Sequence, residues 1–259
     1  MSYSYEDLLS SYKKLGVEKG RVLYVGASLP YLREFNIPGK TAVLDAHFNA
    51  LLELLGDEGT LVVFTQTTNL CNTKIPFDPK ETPSISGVFS EYIRKKPGAC
   101  RSFHPFCSYT AYGKYAREIT SDTTRHAYGP ETPIARLIDM DTLCISIGLP
   151  PWLTCSAIHH LELIMGVPYR YVKEFCHPVV RNGEVVEELF YLYVWYRECD
   201  FKWKRLVKLF EYIGAESNIN YVEVGQGQIS SYSLSAFSKC AINFFKNNIY
   251  MFFAEPPKT

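Results

Sequence analysis

A chain whose apolar segments alternate between helical and strand periodicity folds as packed layers of helix and sheet, and that alternation is the strongest constraint here. Ser4-Tyr5-Glu6-Asp7 reads as a helix start with a capping serine, and an apolar helical pattern runs on through Leu15. Arg21 to Val25 is a buried-type strand that ends at Gly26-Ala27-Ser28. Thr41 to Leu55 has helical periodicity closed by Gly56, and Thr60 to Thr65 is a second strand. Helix, strand, helix, strand is the signature of an α/β fold, with α+β character added further along the chain.

Residues 68 to 113 break the pattern. Pro76, Pro79, Pro83, Pro97, Gly98 and Pro105 interrupt any period, which predicts a long structured loop of the kind that carries function. Order resumes with a helix over Thr132 to Met140, a strand over Thr142 to Gly148 and a helix over Thr154 to Met165, closed by Gly166. Val167 to Lys173 and Glu184 to Tyr196 alternate and are rich in aromatics, and Asn182-Gly183 between them is a strong hairpin turn. Phe201 to Ile213 reads as helix, Ile219 to Val224 as strand and Ser231 to Lys246 as a closing helix. No repeat, low-complexity tract or linker divides the chain, so residues 1–259 read as one domain.

Charge and composition exclude several classes. Lys+Arg and Asp+Glu number 27 each, a neutral balance without the basic excess of a nucleic-acid binder. The N-terminus carries early acidic residues and lacks a signal peptide's apolar run. No stretch reaches the roughly 18 apolar residues of a membrane span. The expected protein is soluble and cytoplasmic, has no nucleic-acid or membrane partner, and leaves a homodimer open. Its eight cysteines are spread singly with no Cys-x-x-Cys, and its six histidines show no His-Glu-x-x-His spacing, so no metal site is expected.

The segment with most chemical content is Ser156-Ala157-Ile158-His159-His160-Leu161-Glu162. His159 and Glu162 stand three apart on an expected helix and so share a face. A carboxylate beside an imidazole fixes its tautomer and stabilises the imidazolium formed when it takes a proton. From spacing alone, the competing reading is an ordinary surface pair. His160 points ~100° away from His159 and reads as packing or surface. Cys155, four residues before His159, allows a thiol acyl-enzyme as a rival mechanism, against plain packing. Gly225-Gln226-Gly227 lacks the third glycine of a dinucleotide fingerprint and reads as a tight turn. No Gly-x-Ser-x-Gly elbow is present. His104, before Pro105, divides evenly between a structural hydrogen bond and contact with substrate. The stripe Phe190, Tyr191, Tyr193, Trp195, Tyr196 reads as a half-buried strand.

Longer motifs surround that segment. Phe77-Asp78-Pro79 leads to Thr82-Pro83-Ser84 and Gly87; then come Arg94, Pro97-Gly98, Arg101-Ser102, His104-Pro105 and Ser108. Gly129-Pro130 precedes Thr132-Pro133 and Leu137. The ordered set "FDP..TPS..G", "R..PGA.RS.HP..S", "GP.TP...L", "S..H..E" resembles the aminoglycoside 3-N-acetyltransferase family, also called the antibiotic N-acetyltransferase family. Leu15 to Leu29 and Leu51 to Thr65 fit its start, so the resemblance covers nearly the whole chain. It implies a single mixed-sheet acyltransferase domain with surrounding helices. It also implies direct transfer of an acyl group from acyl-CoA, the cosubstrate, to an amino-sugar amine, without metal. His159 then becomes the general base and Glu162 its supporting carboxylate. Ser28 and Leu29 fall in the loop that meets the CoA arm, Ser84 and Ser108 in loops lining the tunnel, and His104 and Arg101 on the substrate side. The family's His-Ser before the loop serine is Gly26-Ala27 here. Its "NT" ahead of the catalytic helix is not cleanly present, with Thr154-Cys155 near that place.

Two further expectations concern chemistry. Oxyanion donors are sought among backbone N–H groups or hydroxyls of the Thr65 to Thr68 and Ser84 loops. The loop region carries Lys74, Lys80, Arg94, Lys95, Lys96 and Arg101 against Asp78, Glu81 and Glu91. That excess points to an anionic acceptor, a nucleotide-linked deoxyamino sugar of surface-polysaccharide synthesis. The alternatives are an aminoglycoside and a non-catalytic relative that only binds sugar or CoA.

Overall fold

The computed structural model describes residues 2–196, 207, 209–211 and 219–252. Cys199 and most of the helix expected over Phe201 to Ile213 lie outside them.

Successive side chains of a strand point to opposite faces, and here both faces are apolar. In β1 (Val22–Ala27), Leu23 and Val25 enter one core while Val22 and Tyr24 enter another. β2 (Thr60–Gln66) divides in the same way, Leu61 and Val63 against Val62. Strands buried on both faces need cover on both. The first core packs α1 (Tyr5–Lys14), α2 (Lys40–Leu55) and α3 (Val88–Arg94). The second packs α4 (Ala116–Thr120), α5 (Pro133–Asp139), α6 (Ala157–Ile164) and α7 (Leu234–Asn247).

Seven strands form one mixed sheet. β1 lies between β2 and β5 (Leu143–Ile147) and is parallel to both. On one side β4 (Cys107–Gly113) and then β3 (Cys100–Arg101) continue antiparallel. On the other, β9 (Gly227–Ser233) and β8 (Asn220–Val224) do the same, giving the order β3-β4-β2-β1-β5-β9-β8. A separate hairpin of β6 (Arg170–Arg181) and β7 (Glu184–Trp195) turns at Asn182-Gly183, both with positive φ. It is tied to the body where Phe77 pairs beside Val179 and His126 beside Tyr191.

The mixed sheet with surrounding helices is as expected; three segments differ. The region 68 to 113 is not all loop, because α3 occupies Val88–Arg94 and β4 runs through Tyr109, Thr110 and Tyr112, good strand formers hidden by the prolines around them. The first hairpin strand begins at Arg170 and continues to Arg181. Ser231 to Ser233 belong to β9, and Gly225-Gln226 is the turn of the β8–β9 hairpin, so the closing helix starts only at Leu234.

Gly148, at the end of β5, has φ +66, and a Cβ there would lie 2.4 Å from the Ser28 carbonyl oxygen. Neither the backbone conformation nor the space accepts a side chain. Gly148→Ala is expected to lower unfolding free energy by ~1–3 kcal/mol in urea denaturation; an unchanged midpoint would show that the β1 and β5 loops do not need this close approach.

Candidate active site

Parallel strands that diverge in connection leave a crevice at their carboxyl ends, and such a switch occurs between β1 and β5. Ser28 N–H, after β1, donates to the Ile147 carbonyl at 2.8 Å, which closes the base of the crevice. Gly148 to Ser156, after β5, then leads into α6 through a short 3₁₀ turn at Pro151–Leu153. The Thr154 side chain sits 2.5 Å from where a Cβ on Gly26 would lie, so the threonine occupies the space a larger residue at position 26 would need.

Helical spacing brings His159 and Glu162 together as expected, with His159 Nδ1 3.1 Å from Glu162 Oε2. Glu162 is not a surface carboxylate: it is fully buried. A buried charge needs a partner, and Arg170, at the first position of β6, supplies it through Nε at 2.8 Å from the same Oε2. Arg170 Nη2 also lies 3.1 Å from His159 Nδ1. The arginine packs against the rings of Tyr193 and Trp195 and donates through Nη1 to the Tyr193 carbonyl at 3.2 Å. Burial, and next the charge of Glu162, drive the Tyr169 phenol far above its ordinary range. When His159 donates Nδ1–H to Glu162, its Nε2 is left unprotonated and able to take a proton.

His159 stands where two cavities meet. One, of about 530 Å³, is lined by Phe64, Gln66, Tyr128, Trp152, Ser156 and His159 among others. The second, of about 570 Å³, shares Gln66, Tyr128 and His159 and is walled by Arg170, Tyr193 and Trp195 of the hairpin. The aromatic stripe therefore walls a cavity as well as packing. An imidazole reachable from two sides can mediate between two substrates.

The other expected site residues fall into separate groups. Ser28 and Leu29 border a third cavity, of about 510 Å³, together with Arg33 and Lys40. Ser108 is buried and donates to the Thr65 carbonyl at 2.7 Å. Arg101 donates through Nε to Ser108 at 2.8 Å and through Nη2 to the Thr65 carbonyl at 3.0 Å. Burial lowers the pKa of its guanidinium to about 10. It braces the 77–84 loop against the sheet. Ser84 accepts from Ser86 N–H at 3.1 Å within the same loop. His104 is buried, and its Nδ1 accepts from Phe106 and Cys107 N–H at 3.2 and 3.1 Å. None of these four lines either cavity at His159. His160 is buried and accepts from Gly129 N–H at 3.2 Å. Cys155 borders the first cavity, but burial pushes its thiol up to about 12, away from a reactive thiolate. Of the hydroxyls expected as oxyanion donors, Thr65 is buried in the Ser108 network, whereas Thr68 lines the second cavity. Arg170 has no motif of its own; only the need to neutralise a buried Glu162 could have pointed to an arginine. Ser156 is the serine of the "S..H..E" motif, but its spacing there gave it no role. Among the described residues, no cluster of three or more His, Cys, Asp or Glu could hold a metal ion. No helix among them is long and apolar enough to cross a membrane.

The family model described as aminoglycoside 3-N-acetyltransferase matches residues 24–246. The chain belongs to the aminoglycoside 3-N-acetyltransferase family. Aminoglycoside N(3)-acetyltransferase III of Pseudomonas aeruginosa is 24% identical over 202 residues, 71% of this chain and 72% of that relative. Two further curated relatives are matched over 56% and 65% of their length. The fold is that of AAC-IIIb in its binary complex with CoASH, with a TM-score of 0.82 at 18% identity over 99% of this chain and 100% of that one. It is also that of sisomicin-bound AAC-VIa, with a TM-score of 0.81 at 20% identity over 95% and 99%. As a member of the family, the protein is a CoA-dependent N-acyltransferase.

The family overturns the nucleotide-linked acceptor inferred from charge: its model and the relatives named above are those of aminoglycoside acetyltransferases. The structure supplies the reason the charge count misled. Lys74 pairs with Glu187, Arg94 and Lys95 with Glu91, and Lys96 with Asp45. Arg101 is committed to backbone carbonyls. The basic excess is largely internal to the loop and its neighbours.

Removing Arg170 strands the Glu162 charge, whereas neutralising both partners does not. Arg170→Met is expected to cost ~3–5 kcal/mol of stability, and Arg170→Met with Glu162→Gln less than the sum of the singles by ~1–3 kcal/mol. A double-mutant cycle by urea denaturation checks this; additive effects would remove the ion pair from the account.

Proposed function

We propose that the protein transfers an acetyl group from acetyl-CoA to an amino group of an aminoglycoside, the 3-amino group by analogy with the relatives' names, and that residues 1–259 act as one acyltransferase domain. The observation that carries this reading is His159 at the junction of two cavities, with a buried carboxylate fixed behind it by Arg170.

An alkylammonium is not a nucleophile, so the acceptor reacts as its free amine, and a base takes an N–H proton as the nitrogen bonds to the carbonyl carbon. His159 takes that proton on Nε2. Glu162 accepts the Nδ1–H and stabilises the imidazolium, and Arg170 holds the carboxylate in place. Bound acetyl-CoA supplies an activated carbonyl with a good leaving group, so no metal is required. Ser28, Leu29, Arg33 and Lys40 suit a phosphate-bearing ligand: two cations border the cavity, and arginine pairs with phosphate through bidentate bonds. For the acceptor, the described lining offers the rings of Phe64, Tyr128, Trp152 and Trp195 instead of carboxylates. Contact with its ammonium groups is then of the cation–π kind. A cytoplasmic location goes with this reading, since acetyl-CoA is its cosubstrate.

Release of free CoA with sisomicin and related aminoglycosides tests the reading. Turnover is expected with at least one, and His159→Asn should reduce it ~10²–10⁴-fold. Release with none of them would remove the aminoglycoside as acceptor. Cys155→Ala should leave the rate within about twofold, since direct transfer needs no thiol; a large loss with a trapped acetyl-enzyme would replace direct transfer by a two-step mechanism. Acetyl-CoA should raise the melting temperature by mass action, and Arg33→Glu with Lys40→Glu should abolish the rise. A rise that survives would put the CoA site elsewhere.

A further inference from the structure

We propose that Ser156 is a catalytic residue of this reaction, its hydroxyl donating to the acetyl thioester's carbonyl oxygen as that oxygen gains charge. The inference rests on the acyl-transfer reading above. Ser156 Oγ lies 2.8 Å from the Tyr24 hydroxyl and 3.0 Å from the Tyr109 hydroxyl. Three hydroxyls carry three protons, and the two contacts between them use only two. One proton is left to find an acceptor outside the group.

Burial decides which one. Tyr24 is 4% exposed and Tyr109 is fully buried, and both come up from the sheet, on β1 and β4. Neither lines the cavity at His159, and Ser156 does. A proton pointing away from Ser156 on either phenol would forfeit its hydrogen bond in an apolar interior. Both tyrosines therefore donate to Ser156 and fill its two lone pairs. The serine's own proton is turned toward the cavity. A hydroxyl that accepts two hydrogen bonds is polarised and becomes a stronger donor. Burial, the largest effect, also holds both phenols far above their ordinary range, so neither gives up its proton instead.

The placement suits the step. Ser156 immediately precedes α6, and its carbonyl accepts from His159 N–H at 3.2 Å, so base and donor are set by the same first turn beside the same cavity. Thr154, the neighbouring hydroxyl, is committed to Ser146 and to the Pro151 carbonyl. In the step, the amine nitrogen bonds to the carbonyl carbon, the C=O pair moves onto oxygen against Ser156 Oγ–H, and His159 takes the N–H proton. The oxygen pair then restores C=O, the C–S bond breaks, and the thiolate takes the proton from His159 to leave as CoASH.

Two measurements test the assignment. With an aminoglycoside that turns over, Ser156→Ala should lower kcat ~10²–10³-fold, the usual loss for one oxyanion donor. KM should stay within about threefold, and Ser156→Thr should recover most of the rate. Because Ser156→Ala also strands two phenols, the triple variant with Tyr24→Phe and Tyr109→Phe restores apolar packing; it should remain as slow as Ser156→Ala. Tyr24→Phe with Tyr109→Phe alone, which keeps the serine proton, should lose less than about tenfold. Independently of any acceptor, the carbonyl ¹³C resonance of bound [1-¹³C]acetyl-CoA should lie downfield of the free value in the wild type and Ser156→Thr, and return in Ser156→Ala. A kcat for Ser156→Ala within about fivefold of wild type, recovery of rate in the triple variant, or a resonance that ignores the substitution would each overturn the proposal. A wild type that polarises acetyl-CoA yet acetylates no aminoglycoside would instead sink the aminoglycoside reading and leave Ser156 in place.

Discussion

A carboxylate sealed from solvent is the constraint on which the rest of the site depends. An ionised Glu162 in an apolar interior is costly unless a cation and hydrogen bonds meet it. Arg170 provides both, and to do so the chain must bring the start of β6 against the helix that carries Glu162. The hairpin is therefore part of the candidate site. Its aromatic residues hold the guanidinium on one side, where Tyr193 and Trp195 pack over it, and wall the cavity on the other. His159 takes its orientation from Glu162, 3.1 Å from its Nδ1, and Arg170 acts on the imidazole through that carboxylate.

The sheet decides where that cluster sits. Because β1 is parallel to both β2 and β5, the loops after these strands emerge at one edge, and the change in connection between β1 and β5 opens a crevice there. Phe64 and Gln66 from β2, the segment after β5 and the first turn of α6 converge on one cavity. The two tyrosines that flank Ser156 come from β1 and β4, which lie on either side of β2. Ser156 and His159 are thus held by rigid elements, as the roles proposed for them require.

Charge was the poorest guide to the acceptor. A sum over residues 74 to 101 treats each lysine and arginine as available, but pairing is a tertiary property. Glu187 on β7 and Asp45 on α2, remote in sequence, neutralise two members of the set, and Arg101 is buried against carbonyl groups. What remains exposed says little about the ligand. The aminoglycoside relatives and the aromatic lining together are the better guide.

The sequence by itself determined the α/β class, the hairpin at Asn182-Gly183, the capped helix at Ser4 and the family, because each rests on local periodicity, turn chemistry or ordered motifs. It also set His159 beside Glu162, since helical geometry makes neighbours of residues three apart. Tertiary structure alone decided that Glu162 is buried, that Arg170 completes it, and that His104, Arg101, Ser84 and Ser108 stand away from the cavities at His159. It revealed β4 and α3 within a proline-rich stretch whose local signals favour loop. It also turned Ser156 from a residue before a helix into the meeting point of two buried phenols 132 and 47 positions away along the chain. Contacts across such separations have no period for a sequence to display. They follow from which strands lie side by side and which charges the interior cannot leave unpaired.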